Sequence, residues 1–339
     1  MLQTSRLLCG LISIGTIVSG SAVAADSQLL NMVMPDVKVL AGVNATSAST
    51  SPLGRFLIGK LTVTGDLQKF TAATGFNPVQ DVSEVLAASS ADPANPAFLI
   101  MATGKFPVDK FVSLLGSATD PGKPEVSTYA GATLITFPAP NAKAPHSVAF
   151  FANSSVAVAG DLASVKAAID RSTAANSLDT ALALQVKALS ASQDEWLIST
   201  APIASLLPAA ATDAVKGPAA QVLPLFKSIQ SFNGGVKFGD NVVVSGQAVT
   251  NDPKNAEALS AVLKLGITLL GSAASSGKDP HLTDLAGLLQ NAQLTTNGPA
   301  LNLTLSIPED RIESLLFSAK VLRPAAVSMP PHPEIHKGN

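Results

Sequence analysis

Four histidines, His146, His281, His332 and His336, are all the imidazole the chain has. His332-Pro333-Glu334-Ile335-His336 has the donor types of a metal site. A working site needs ligands held on a rigid frame with outer partners, and this one lies in a proline-rich tail with a proline between its donors. His146 and His281 fall in loops beside Pro145 and Pro280 and read as surface residues. Carboxylates come in three local pairs: Asp81 with Glu84, Asp194 with Glu195, and Glu309 with Asp310. Acid–base work of the glycosidase kind needs two carboxyls facing each other across a cleft, which sequence spacing does not establish. Acids also favour the first turn of helices, and that accounts for two of the pairs. Trp196, the only tryptophan, reads as a core residue rather than a ligand platform.

The motifs of activated nucleophiles and phosphate cradles are missing. No G-x-S-x-G elbow stands in the mature chain, and no convincing S-x-x-K. Gly104-Lys105 lacks the upstream glycine of a P-loop and runs into Phe106. No G-x-G-x-x-G follows a strand. The expectation is therefore no catalytic residue, no cofactor-binding residue, no metal ligand and no cofactor.

The elements that would position any site follow from periodicity and punctuation. A short turn at 29–34 stops at Pro35 and leads to a strand at 37–43. Ser51-Pro52 opens a helix carrying Leu53, Phe56, Leu57 and Leu61 at helical spacing. A second helix, 67–74, ends at Gly75. Asp81 to Glu84 reads as a capping or turn device before a strand at 85–88. A buried strand at 98–102, a helix at 108–115 stopped by Gly116, and a strand at 128–137 bent at Gly131 come next. Ser147 to Ala152 and Val156 to Ala159 form a hairpin about Asn153-Ser154-Ser155. Asp161 then caps a helix over 162–171. Residues 172–177 are the linker candidate, and a helix at 179–189 continues the chain.

The second half begins with a strand at 196–200 and an Ala/Pro-rich helical stretch from Ile203 to Ile229. A hairpin of 232–238 with 242–248 is followed by Asp252-Pro253, which caps a long helix through Leu270. After a Gly/Ser loop at 271–277 come a helix at 282–289 and a hairpin, 293–296 with 301–307, turning at Asn297-Gly298. Pro308-Glu309-Asp310 starts a last helix at 311–319. The halves share this rhythm, and Ser147–Asp170 aligns in type with Gln293–Ser318. The fold class expected is α+β, a structural duplication of antiparallel hairpins backed by helices. Its parts are residues 26–177, residues 178–322 and a disordered proline-rich tail, 323–339.

The N-terminus reads as a secretory signal peptide, residues 1–25. Arg6 precedes the apolar run Leu7 to Val18, and small residues follow to Ala25. Ala22 and Ala24 suit a cut before Ala25; Val23 and Ala25 suit one before Asp26. About a dozen apolar residues fall short of the roughly 20 a membrane span needs, so the mature form is expected to have no span. Cys9 is the only cysteine, and cleavage removes it, leaving a chain without disulfides or Cys-type zinc sites. The formal net charge is −2. With no Lys/Arg block, nucleic acid is not a partner. Aromatics are 4% against 47% apolar residues, which leaves few stacking platforms for sugars or bases and predicts a core of Ala, Val, Leu and Ile. Asn44-Ala45-Thr46, Asn153-Ser154-Ser155 and Asn302-Leu303-Thr304 match glycosylation sequons, which matter only in a host that glycosylates.

Three stretches carry a family likeness: Thr74-Gly75-Phe76-Asn77-Pro78-Val79-Gln80-Asp81-Val82; Gly104-Lys105-Phe106; and Val156 to Asp161 followed by Ser164-Val165-Lys166-Ala167-Ala168-Ile169-Asp170. Together they resemble exported bacterial proteins of the acidobacterial type, in domain-of-unknown-function families with a "G-F-D-P…D" turn before a strand and a "V-x-G…V-x-x-A-I" strand–helix unit. The resemblance spans Val37 to Asp170 and implies structure without an activity. The function expected is thus an exported, non-catalytic protein that binds another protein or an envelope component. The alternatives are a periplasmic carrier of an apolar or lipid-like ligand and an enzyme with a carboxylate site assembled only by folding.

Overall fold

The structure is a computed structural model that describes residues 25–49, 51, 65–92, 97–116, 123–138, 145–173, 178–207, 217–275 and 280–312. The expected helix from Leu53, most of the signal peptide and of the linker, and the tail 323–339 lie outside those residues.

The chain forms a mixed α+β fold on one antiparallel sheet of twelve strands. In chain order these are β1 (Val39–Asn44), β2 (Val82–Ser89), β3 (Phe98–Gly104), β4 (Glu125–Tyr129), β5 (Ala132–Phe137), β6 (His146–Phe150), β7 (Val156–Asp161), β8 (Glu195–Ser199), β9 (Ile229–Lys237), β10 (Asn241–Thr250), β11 (Gln293–Asn297) and β12 (Ala300–Pro308). Their order across the sheet is β11-β12-β10-β9-β8-β1-β2-β3-β7-β6-β5-β4. The expected halves therefore share a single sheet, joined where β1 pairs with β8, with Val39 opposite Ser199 and Val43 opposite Glu195. Outward from that seam one side runs β1-β2-β3-β7-β6 and the other β8-β9-β10-β12-β11.

Eleven described helices pack around it: α1 (Ser27–Met32), α2 (Ala45–Ser49), α3 (Gly65–Thr74), α4 (Pro78–Asp81), α5 (Val108–Gly116), α6 (Leu162–Arg171), α7 (Thr180–Ser190), α8 (Ile203–Leu206), α9 (Pro218–Lys227), α10 (Pro253–Ser275) and α11 (Pro280–Leu289). Caps fix several starts. Asp161 Oδ1 accepts from Ser164 N at 2.9 Å, Asp179 Oδ1 from Ala181 N at 2.9 Å, and Asp252 Oδ1 from Lys254 N at 2.8 Å. Gly75, at φ +73°, ends α3 in the left-handed region that glycine tolerates.

Side chains alternate across the sheet, so each face builds its own core. On one face Leu40, Leu86, Leu99, Met101, Leu134 and Ala149 meet α1, α6 and α7 through Leu29, Met32, Val165, Ile169 and Val186. On the other, Ile135 and Val148 meet Phe76, Phe106, Phe111 and Phe150. Those four phenylalanines and Phe70 lie with neighbouring centroids 5.4 to 6.3 Å apart, a spacing that favours aromatic pairs. The core of the described residues is mostly Ala, Val, Leu and Ile, as expected, and its phenylalanines are gathered mainly on the second face. A third cluster joins Ile229, Leu294 and Leu301 to Leu259 of α10.

Four sequence expectations change. The strand at 128–137 is a hairpin, since Ala130 and Gly131 both take positive φ, 46° and 83°, the backbone of a tight two-residue turn. Asp81 closes α4 rather than preceding Val85: its Oδ2 accepts from Asn77 N at 2.7 Å while Asn77 Oδ1 accepts from Val79 N, a reciprocal cap, and β2 already begins at Val82. The last turn is Gly298-Pro299, because Asn297 pairs with Ala300 and Gly298 supplies the positive φ of 56°. Residues Gly271 to Ser275, expected as loop, continue α10.

Trp196, 5% exposed, is a core residue. It stands between Gly42 of β1 and Gly235 of β9, and a Cβ on Gly42 would overlap its indole ring. Gly42→Ala should therefore lower the unfolding free energy in urea by about 1–3 kcal/mol, the cost of overpacking. Adding Trp196→Leu should cost less than the sum of the two single changes, because one removes the clash the other creates.

Candidate functional site

The buried charge of the described residues collects at one end of the seam. Asn44 ends β1 and stands opposite Glu84 of β2. On its other side its N–H donates to the Asp194 carbonyl at 2.9 Å. Asp194 in turn faces the end of β9, its N–H donating to the Val236 carbonyl at 3.0 Å. Glu84, Asn44, Asp194 and Lys237 thus form one row across four neighbouring strands. Strand spacing puts roughly 10 Å between the backbones of Glu84 and Asp194.

Each acid in the row is held by groups far away in sequence. Asp194 is 1% exposed. Its Oδ1 pairs with Lys237 Nζ at 2.9 Å, and its Oδ2 accepts from Phe238 N at 2.9 Å. Both oxygens are therefore satisfied, as a buried carboxylate requires. Among the described residues Glu84 accepts from a single donor, the Asp26 backbone N–H, at 3.3 Å to Oε1 and 3.1 Å to Oε2. Burial pushes its carboxyl up to about 7, the Asp26 hydrogen bond pulls it down, and the Asp26 carboxylate adds a smaller upward push. Such a group exchanges its proton near neutrality, but both its oxygens are already engaged.

The remaining residues singled out in sequence do not join this row. Asp81 caps α4, Glu309 and Asp310 stand where the chain turns helical after β12, and His146 is exposed at the start of β6. His332 and His336 lie outside the described residues. Among the described residues no group of three or more His, Cys, Asp or Glu could hold a metal ion. Two hollows are described, and neither is lined by a residue of the row. One, about 450 Å³, lies between α9 and the start of α10 beside Leu223, Pro224, Lys227, Asn251 and Asn255. The other, about 420 Å³, lies between α10 and Gln290. Both open to solvent.

A different feature stands out on the surface. Helix α10 runs 23 residues and has a mean hydropathy of 1.5 over an 18-residue window, of which only 17% is buried. By length and composition it could cross a membrane, where no span was expected. Ala256, Leu259, Leu263 and Ile267 turn one stripe of it onto the sheet. Leu265 and Leu269 point away, 57% and 60% exposed, with Leu285 of α11 at 41%. From Leu265 to Ser275 the helix carries no charge.

Glu84 makes a prediction with a definite sign. A carboxyl raised by folding stabilises the fold below its unfolded pKa, near 4.5, and loses that contribution as pH climbs through about 7. In the uncleaved chain, stability should fall between pH 5 and pH 8 by up to about 3 kcal/mol. Urea titrations across that range should show the fall, and Glu84→Gln should flatten it.

No family model matches the chain, and no curated protein matches it. Among solved structures, crystal form I of TP0453 is similar at 13% identity and a TM-score of 0.45, over 87% of this chain and 99% of that one. Crystal form IV of TP0453 gives 13% identity and a TM-score of 0.49, over 86% of this chain and 97% of that one.

Proposed function

We propose that this chain is an exported, non-catalytic protein that binds an envelope component through the outer face of α10. One observation carries the reading: a long helix, docked by one stripe, presents uncharged leucine to solvent. Apolar patches that a fold does not bury mark interaction sites more often than scattered exposed residues do. The lack of aromatic and arginine anchors on this face suits a smooth apolar contact better than a hot-spot protein interface. The export part of the reading rests on the composition of residues 1–25, and the likeness to exported acidobacterial-type proteins is proposed on the same footing.

The matching strand orders on the two sides of the seam support reading the halves as a structural duplication. In that reading β6-β7-α6 corresponds to β11-β12 and the helical turn that follows. The second copy then differs in what covers it: α10 and α11 stand where the first copy has α5 and the hairpin β4–β5.

The enzyme reading finds three of its six acids already committed. Asp194 is neutralised by Lys237, Asp81 is used in a cap, and the Glu84 oxygens are engaged by the Asp26 amide. The carrier reading calls for a closed apolar void, whereas both described hollows open to solvent and hold polar side chains.

The test is site-specific photo-crosslinking in an export-competent bacterium. p-Benzoylphenylalanine at Leu265 or Leu269 should give a discrete adduct that the same probe at Leu184, equally exposed on α7, does not. Adducts at all three positions, or at none, would refute the assignment. Leu265→Ser with Leu269→Ser should abolish retention in the envelope fraction. It should change folding stability by less than about 1 kcal/mol, because both side chains are largely solvent-exposed.

A further inference from the structure

Helix α1 begins two residues past the first of the two expected cleavage points, yet it anchors in the core. Leu29, Met32 and Val33 are fully buried in the core of the first face. The helix is tied at both ends. Asp26 Oδ1 accepts from Gln28 N at 2.7 Å to cap its start. At its other end the Arg171 guanidinium donates to the Met32 carbonyl from Nη2 at 2.8 Å and from Nε at 3.2 Å. The residue that fixes the entry of the chain is Asp26, through its nitrogen on Glu84.

That contact is one donor too few for the acceptor it serves. A single amide N–H is shared between both Glu84 oxygens, where a buried carboxylate is stabilised by charge and by several donors. The groups around Glu84 do not supply them. The Asp26 carboxylate is negative and occupied with its cap. Asn44, opposite on β1, accepts from Ser47 N through its Oδ1. Among the described residues no lysine, arginine or histidine is paired with Glu84. An α-ammonium group at the same nitrogen would bring a positive charge and three N–H donors to both oxygens, with no other atom moved.

We propose that signal cleavage falls between Ala25 and Asp26, and that the α-ammonium group it creates pairs with the Glu84 carboxylate and locks α1 into the core. This rests on the export reading and adds to it a position and a structural consequence. Cleavage hydrolyses the Ala25–Asp26 peptide bond: water supplies the hydroxyl of the Ala25 carboxyl, and the Asp26 nitrogen leaves as the amine that takes up a proton. Because the bond lies beside a helix buried in the core, the cut comes before α1 docks. Processing then completes the fold, since an uncut chain offers Glu84 only an amide.

The experiment uses the full chain with its own N-terminus, made in an export-competent bacterium and recovered folded. Its intact mass should correspond to a chain starting at Asp26. The α-amino group is then labelled at pH 7 with an amine-reactive reagent, and the N-terminal peptide is followed by mass spectrometry. An ion pair that raises the amine's pKa by one unit leaves about tenfold less free amine. Labelling of the folded protein should therefore run about tenfold or more slower than labelling in urea. Glu84→Gln should bring the folded rate to within about threefold of the urea rate. A mature chain starting at Ala25 overturns the proposal while leaving export intact, whereas a retained Met1 overturns export itself. Labelling in wild type as fast folded as in urea also overturns the pairing, independently of any variant. So does protection that survives Glu84→Gln.

Discussion

The pairing of β1 with β8 is the constraint on which the rest of the protein depends. Among the described residues it is the one strand contact that crosses between the halves, and it is five residue pairs long, from Val39–Ser199 to Val43–Glu195. Backbone bonds extend it at both ends, Thr200 N donating to the Lys38 carbonyl and Asn44 N to the Asp194 carbonyl. A short ladder of this kind gains stability from its cross-strand side chains. Here the last pair but one is Gly42 with Trp196. The largest side chain in the chain lies over the smallest, so the indole crosses the seam and joins the core that α1, α6 and α7 cover. The seam lets twelve strands share one sheet while each side keeps its own helices.

At the end of that seam the sheet changes from apolar to charged within two residues. Gly42 belongs to the packed row, and Asn44 to the row of Glu84, Asp194 and Lys237. The two acids are satisfied in different ways. Asp194 has a cation from its own sheet, whose ammonium group reaches water at its other side. Glu84 has only the backbone of the entering chain, and its titration is accordingly shifted by burial where a cation would hold it low. The row therefore couples the N-terminal segment to the seam. Asp26 reaches Glu84, Glu84 stands beside Asn44, and Asn44 holds Asp194.

Much of the fold was legible because its signals are local. Asp161, Asp179 and Asp252 stand directly before helix starts, and Gly75 and Gly116 mark ends. Where such signals fail, a local rule was broken. Ala130 takes a positive φ that alanine seldom adopts, so the hairpin at 125–137 read as one strand. Gly271 and Ser272 look like loop, yet they continue α10 because the helix there packs against α11. The row at the seam could not be read at all. Asp26 and Glu84 are 58 residues apart, and Asp194 and Lys237 are 43 apart. Pairing Asp81 with Glu84 and Asp194 with Glu195 by adjacency joined residues that the structure separates. Asp194 precedes β8 and pairs with Lys237 while Glu195 opens the strand, and α4 ends between Asp81 and Glu84. The phenylalanine cluster escaped notice for the opposite reason: a low aromatic fraction describes the average, whereas five rings within one contact network describe a place.

Helix α10 is where local and global requirements part. In α6 and α7 the buried apolar residues face the sheet: Val165, Ala168 and Ile169 in α6, Leu182 and Val186 in α7, with Leu184 the exposed exception. In α10 the inward stripe of Ala256, Leu259, Leu263 and Ile267 is sufficient to dock the helix, and Leu265 and Leu269 add nothing to that contact. Leaving two leucine side chains in water forgoes roughly 1.5–3 kcal/mol for each that burial would have gained. Serine or lysine at these positions would keep the helix without that loss. Natural chains break such rules at functional sites, where the gain lies outside the fold. The same fold that gathers its charges into a buried row at one place keeps them off the outer face of α10 at another. That contrast sets an uncharged, exposed stretch of helix against a buried, charged row at the seam.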